Sequence, residues 1–322
     1  YLFFFIFFLT GQLVANEREK ELNILFDKLQ DTNSKLTFEI EKKIWRIWST
    51  HPKNNELTLM LLKGSKLIDN QKFNEAVKKI NVKEKHATDI ITEKNEYYAD
   101  LVVNNSDYHH GETQLLDEKD QTYKSNYWEK KTMAISMHLA YIGVKRKIDS
   151  LTHHNYFFNE NWNEHFDQIF KTPQWPDNPN FYVCCPSRID DNVAPKGMEN
   201  LFFLVPVASD LEDSDTIREE YFDKILNRFE EWTGEKIKDD IVVKSLFTHR
   251  DFKSRYNAYK GTGLGMAHTL WQTAVFRPKH KSSKVKNLYY TGQYNHPGVG
   301  VPTTVISSQI LVNEMKKEGV LA

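Results

Sequence analysis

The alternation of apolar and polar positions divides this chain into three textures. Residues 1–15, YLFFFIFFLTGQLVA, form an apolar run without the positive flank of a signal peptide. The run is shorter than the ~20 residues that a membrane-crossing helix needs. A truncated anchor or signal, a buried segment of a cut domain and an artefact of the gene model all accommodate it. Residues 16–50 carry helix periodicity. Leu22, Leu25, Phe26 and Leu29 fall at i, i+3, i+4 and i+7, and Ile40, Ile44, Trp45, Ile47 and Trp48 form a broader second set.

From about residue 74 the pattern shortens to that of strands. VKKINV (77–82), DIITEK (89–94) and YADLVV (98–103) predict a β-meander that ends at the turn formers Asn104, Asn105, Ser106 and Asp107. MAISMHLAYIGV (133–144) and ENLFFLVPVA (199–208) predict longer strands. IREEYFDKILNRFEEWTG (217–234) predicts a helix, with Tyr221, Ile225, Phe229 and Trp232 on one face and Gly234 as its C-terminal cap. Near the end, NLYYTG (287–292) predicts a short buried strand. QYNHPGVGVP follows, and then a helix, VISSQILVNEMKK, with Pro302 in its first turn.

Charge narrows the functional classes. The 322 residues carry 43 basic against 44 acidic side chains, a net charge of −1. That balance creates no field to hold nucleic acid, so no nucleic-acid partner is expected. The two cysteines, Cys184 and Cys185, are adjacent, which excludes a disulfide framework and a cysteine-rich zinc site. His109 and His110 with Glu112, and His153 with His154, stand side by side rather than at helical i, i+4 spacing, so no metal site is expected from them. Phe157, Phe158, Trp162, Phe166, Phe170 and Trp175 suit an ordinary core better than a tunnel lining.

The strand, Gly-rich loop and helix at the C-terminus carry the most chemistry. Such a turn brings backbone N–H groups and a helix N-terminus to one point, suited to a phosphate or a flavin edge. Gly298 and Gly300 let the backbone approach a planar ligand, although the same residues also make a tight turn.

NLYYTGQYNHPGVGVP resembles the C-terminal signature of bacterial-type phytoene desaturases, a strand and a Gly followed by T-H-P-G-x-G-x-P. Asn295 stands where Thr is usual. DFKSRYNAYKGTGLG (251–265), QTAVFRP (272–278), YADLVVNNSD (98–107) and the 175–208 segment resemble further family segments in the family's order. The resemblance covers roughly residues 74–318. It implies an α/β fold, mixed α+β, with a discontinuous FAD-binding domain of the amine-oxidase type and an inserted substrate domain.

By position, residues 71–120 and 246–322 would then belong to the FAD-binding part, and 121–245 to the substrate domain. Residues 1–70 would stay outside the match. The implied reaction is FAD-dependent dehydrogenation of an apolar polyene, phytoene or a relative, with FAD as hydride acceptor.

By match to the motif, the cofactor-side residues are Gly292, Gln293, His296, Gly298, Gly300 and Val301. Val77 begins the strand that would face the adenine. An ordinary core valine and a turn shaped by His296 and Pro297 are the alternatives. Asp251 and Arg277 suit a helix cap or an ion pair. The polyene implies a peripheral membrane surface at the cytoplasmic side, reached through an apolar face in 130–245 or through residues 1–15. Nothing in the sequence chooses an oligomeric state. One departure is large: the G-x-G-x-x-G that opens such folds is absent, and GTGLG at 261–265 has the wrong spacing. The expectation is a chain that binds FAD weakly by itself.

Overall fold

The protein was analysed as a computed structural model, which describes residues 77–158 and 161–321 and, before them, Ile24 alone. The apolar run 1–15 and the helices expected over 16–50 lie outside the described residues. Residues 75–322 form one compact unit.

Three strands, β1 (Val77–Lys83), β2 (His86–Thr92) and β3 (Glu96–Tyr98), form an antiparallel meander, the third overlapping the expected 98–103 only at Tyr98. Its first turn holds Glu84 and Lys85 at φ 50° and 62°, the left-handed pair that a two-residue hairpin demands. The stretch YADLVV departs from expectation by breaking in two. Its second half, β4 (Val102–Asn104), leaves the meander and pairs in parallel with β10 (Leu288–Tyr290). Asn287 sets this exchange. Its side-chain oxygen accepts from the Ala87 amide at 2.7 Å, and its amide donates to the carbonyls of Ala87 and Asp100 at 2.8 and 2.9 Å. One side chain thus satisfies three backbone groups that the break would leave unpaired.

After β4 come two short helices, α1 (Tyr108–Thr113) and α2 (Ser125–Glu129), and then a five-stranded antiparallel sheet. Its strands are β5 (Ser136–Val144), β6 (His154–Phe157), β7 (Phe181–Cys184), β8 (Glu199–Val207) and β9 (Ile241–Phe247), in the spatial order β6-β7-β8-β5-β9. Helix α3 (Trp162–Phe170) joins β6 to β7, and α4 (Asp215–Thr233) joins β8 to β9. Burial along β8 alternates strictly: Leu201, Phe203, Val205 and Val207 face one core. On that face α4 packs Tyr221, Phe222, Ile225, Leu226 and Phe229, and Gly234 ends it at φ 73°. Each such side chain contributes about 1.5–3 kcal/mol by burial.

On the opposite face α5 (His249–Tyr256) packs Phe252 beside Leu139, Phe202 and Leu204. Asp251 closes a capping box with Thr248 at the start of α5 and pairs with Arg218 at 2.8 Å, so it serves as both cap and ion-pair partner. The chain then returns through short 3-10 turns to β10 and the C-terminal helix α6 (Val301–Lys317).

The aromatic stretch divides. Phe157 and Trp175 pack on the sheet core, as an ordinary core would require. Phe158, Phe166 and Phe170 are exposed, because α3 covers the sheet with His165, Gln168 and Ile169 and turns its aromatic stripe outward.

Candidate functional site

Every element that ends near the β4/β10 pair contributes to one cavity of about 720 Å³. Its walls are residues 104–108, α5 from Phe252 on with residues 257–258, Thr262 and Gly263, residues 290–295, and Thr304 in the first turn of α6. Arg255 brings a positive charge to the wall. A second cavity of about 330 Å³ lies beside the first and is more apolar, with Val77, Ile80, Ile90 and Val102 in its walls. Both cavities share residues 104–106 and Asn257, so one seam of chain borders the two.

Asp107 holds the seam together. It caps α1 by accepting from the His110 amide at 3.0 Å. Its other oxygen accepts from the Tyr294 hydroxyl at 2.6 Å and the Tyr259 amide at 3.3 Å. Three segments remote in sequence thereby meet on one carboxylate. Burial, the largest influence, raises the Asp107 carboxyl above its ordinary range, and the hydrogen bonds from Tyr294, His110 and Tyr259 partly offset that. The turn residues ending YADLVVNNSD mark Asp107 in the sequence only as a strand end.

Arg277 fixes the other wall, and not through the cap or ion pair expected of it. Buried, it donates to five backbone carbonyls: Met266 (3.3 Å), Gln272 (2.9 Å), Gln293 (2.7 Å), Tyr294 (3.0 Å) and Asn295 (3.2 Å). The planar guanidinium fork is what makes five donations possible. Burial pushes it down to about 10, still high enough to keep it charged near neutrality. Asn295, where the family pattern has Thr, adds hydrogen bonds from its amide to the carbonyls of Pro278 and Lys279 at 3.1 and 2.9 Å.

The predicted site residues separate into three places. Gly292 and Gln293 line the large cavity. Gly292 sits at φ 132°, and a side chain there would meet Asn105 at 3.1 Å. Val77 lines the smaller cavity and is 37% exposed, so it is not the ordinary core valine weighed against it.

His296, Gly298, Gly300 and Val301 lie outside both sets of walls. The chain turns at the cis His296-Pro297 bond and enters α6, whose Thr304 comes back to the wall of the large cavity. Gly298 (φ 129°) does receive a planar ring, but that ring is the imidazole of His268, whose Nε2 occupies the place of a Cβ. Gly300 (φ 115°) is the N-cap of α6, with no side-chain cap, and Pro302 takes a helix position that needs no N–H.

No protein-family model matches the chain. Curated relatives do. A carotenoid 3,4-desaturase of Haloarcula japonica is 47% identical over 66% of this chain and 43% of its own length. A zeta-carotene-forming phytoene desaturase of Myxococcus xanthus is 33% identical over 67% of this chain and 42% of its own. A 4,4'-diapolycopen-4-al dehydrogenase of Metabacillus indicus is 30% identical over 74% and 48%. Among solved structures, an oxidoreductase from Methanosarcina mazei aligns with 81% of this chain and 54% of its own, at 13% identity and a TM-score of 0.47. The chain spans less than half the length of the curated relatives it matches. Over about two thirds of its length this chain is homologous to the carotenoid desaturases, and it corresponds to under half of each of them.

Proposed function

We propose that this chain forms the flavin-facing and substrate-domain part of an FAD-dependent enzyme that dehydrogenates phytoene or a related carotenoid precursor. The observation that carries the reading is the 47% identity to a carotenoid 3,4-desaturase over 212 residues, 66% of this chain.

The cavity walls fit a flavin on one count that depends on this chain alone. At Gly292 the backbone has a positive φ, and an added Cβ would crowd the Asn105 side chain at 3.1 Å in the wall of the large cavity. Gly292, Gln293 and residues 104–106 would hold the flavin side, and Val77 with its neighbours the adenine side. FAD, when bound, supplies the hydride acceptor. The chain's own contribution is positioning: Asp107 and Arg277 keep two loops in place, and the apolar walls around Tyr108, Trp128 and Tyr290 exclude water beneath them. Contact of a flavin with Gly298 would require the His268 ring to move aside.

In this reading residues 71–120 and 246–322 share the flavin domain, an arrangement supported by the β4/β10 pairing across the intervening chain. Residues 121–245 form the substrate domain. Among the described residues no helix is long and apolar enough to cross a membrane. The outward aromatics of α3, Phe166 and Phe170, with Phe158 just before it, offer a peripheral attachment at the bilayer where such a polyene resides. Flotation with vesicles should resist high salt and yield to mild detergent, and a Phe166→Glu, Phe170→Glu double variant should stay at the bottom. Unchanged flotation would move the contact to residues 1–15.

The decisive experiment expresses the full-length gene in a phytoene-accumulating host and extracts pigments. Coloured polyenes are the expected result. Unchanged phytoene, with the protein folded, would favour a degenerate paralogue that keeps the scaffold without the flavin. The 322-residue chain by itself should purify colourless, and stoichiometric FAD on it would overturn the dependence on a G-x-G-x-x-G element.

A further inference from the structure

β6 and β7 form the outer antiparallel pair of the five-stranded sheet, and their register sets His154 directly opposite Cys184. Residues paired in this way project from one face with Cβ atoms about 4.5–5.5 Å apart. Cys185, the next residue, turns to the other face and is fully buried near Glu199. Adjacent residues in a strand normally point to opposite sides, but His153 stands in a bend just before β6.

Side chains lock that bend. The Asn155 side-chain oxygen accepts from the Thr152 amide at 2.9 Å, and the Thr152 hydroxyl donates to the His154 carbonyl at 2.8 Å. The two imidazoles consequently lie face against face, with ring centroids 4.0 Å apart and planes 30° apart. One ring nitrogen from each histidine and Sγ of Cys184 all fall within 4.8 Å of one another. Tyr182, two residues before Cys184 on the same face, places its hydroxyl 2.6 Å from Nδ1 of His154.

We propose that His153, His154 and Cys184 bind one Zn²⁺ ion at the edge of this sheet, with Tyr182 orienting the His154 ring. Zinc takes imidazole nitrogen at about 2.0–2.1 Å and thiolate sulfur at about 2.3 Å, so tetrahedral ligand atoms stand roughly 3.3–3.6 Å apart. The present spread closes to that by side-chain rotation, because His154 is exposed and both others are half-buried. Two imidazoles and a thiolate select a borderline or soft cation over Mg²⁺ or Ca²⁺. A hydroxyl partner on the second ring nitrogen is how ligand histidines are commonly held in orientation. The fourth position falls to water on the exposed side. On binding, the Cys184 thiol proton leaves to solvent and the sulfur joins the ion as thiolate. The ion ties the start of β6 to the end of β7 at the outer edge of the sheet.

The test is titration of the metal-stripped 322-residue chain with Zn²⁺ against a chromophoric chelator, and with Co²⁺ for its thiolate charge-transfer absorption. The expected result is one Zn²⁺ per chain, a thermal midpoint that rises with added Zn²⁺, and a charge-transfer band with Co²⁺. Cys184→Ser should abolish the band, and His154→Ala should weaken Zn²⁺ binding by at least about tenfold. Tyr182→Phe should keep the band while weakening binding about 10- to 100-fold, as loss of an orienting partner does. Metal-free melting curves that match the parent establish that the variants fold. Absence of stoichiometric binding at micromolar Zn²⁺ would overturn the proposal, as would binding that survives unchanged in both Cys184→Ser and His154→Ala.

Discussion

The five-stranded sheet and the cavity wall are held together by different physics. In the sheet, Leu201, Phe203, Val205 and Val207 alternate along β8 and meet the apolar stripe of α4, so stability resides in many small, undirected burial terms. At the cavity wall the strands are three residues long, and single polar side chains do the joining. Arg277 donates to five carbonyls, Asn287 bonds three backbone groups and Asp107 gathers three segments. A burial-based region loses stability by degrees when trimmed. A wall held by polar struts fails at a few points, because each lost partner leaves buried polar groups unsatisfied.

Substitutions can separate the two. Phe203→Ala, in the centre of the sheet, should lower global unfolding free energy by about 3–5 kcal/mol in urea titration, without selective loss around the cavity. Arg277→Ala should cost about 3 kcal/mol, since it orphans several buried carbonyls. Hydrogen exchange should accelerate first at residues 266–272 and 293–295. Arg277→Lys should recover little of this, because an ammonium cannot span the fork of acceptors. Equal exchange everywhere in the Arg277 variants would erase the distinction between the regions.

Acid should reveal the polar side of the sheet region. His138 is fully buried, its Nε2 lies 3.3 Å from the Arg218 carbonyl, and burial pushes it down to about 4. Between that value and the ~6.5 of an unfolded histidine, the unfolded chain binds the extra proton. Stability is therefore complete above about pH 6.5 and declines as pH falls toward 4. Urea unfolding at pH 4.5 and 7.5 should differ by about 2 kcal/mol from this residue, and His138→Gln should shrink the difference by that share, leaving the shares of His109 and His280, which burial also pushes down to about 4. The smallest effect is expected at Ser214, whose hydroxyl accepts from the Ile217 amide at 3.2 Å as the N-cap of α4. Ser214→Ala should cost about 1 kcal/mol, visible as a lower urea midpoint with the cavity unaffected.

What could be read before folding follows the same division. The alternation in 199–208 and the stripe in 217–234 predict β8 and α4, because periodic burial writes itself into consecutive residues. The backbone freedom required at Gly298 and Gly300, both at positive φ, is legible for a similar local reason. The break of YADLVV was not, since β4 is decided by its pairing with a strand almost two hundred positions later and by Asn287 beside it. Nor was the role of Arg277: a lone arginine in FRP gives no sign of five carbonyls gathered from two loops.

Local order along the chain therefore determined that the long strands and α4 exist, which face of α4 is apolar, and which family the residues resemble. Tertiary structure alone decided which loops share a cavity, that His268 covers Gly298, and that Cys184 faces two histidines that the sequence shows only as a neighbouring pair. The reason is physical. Periodicity reports the burial of one face of one element, whereas a site is made where side chains from several elements converge, and no short window of sequence contains their distances.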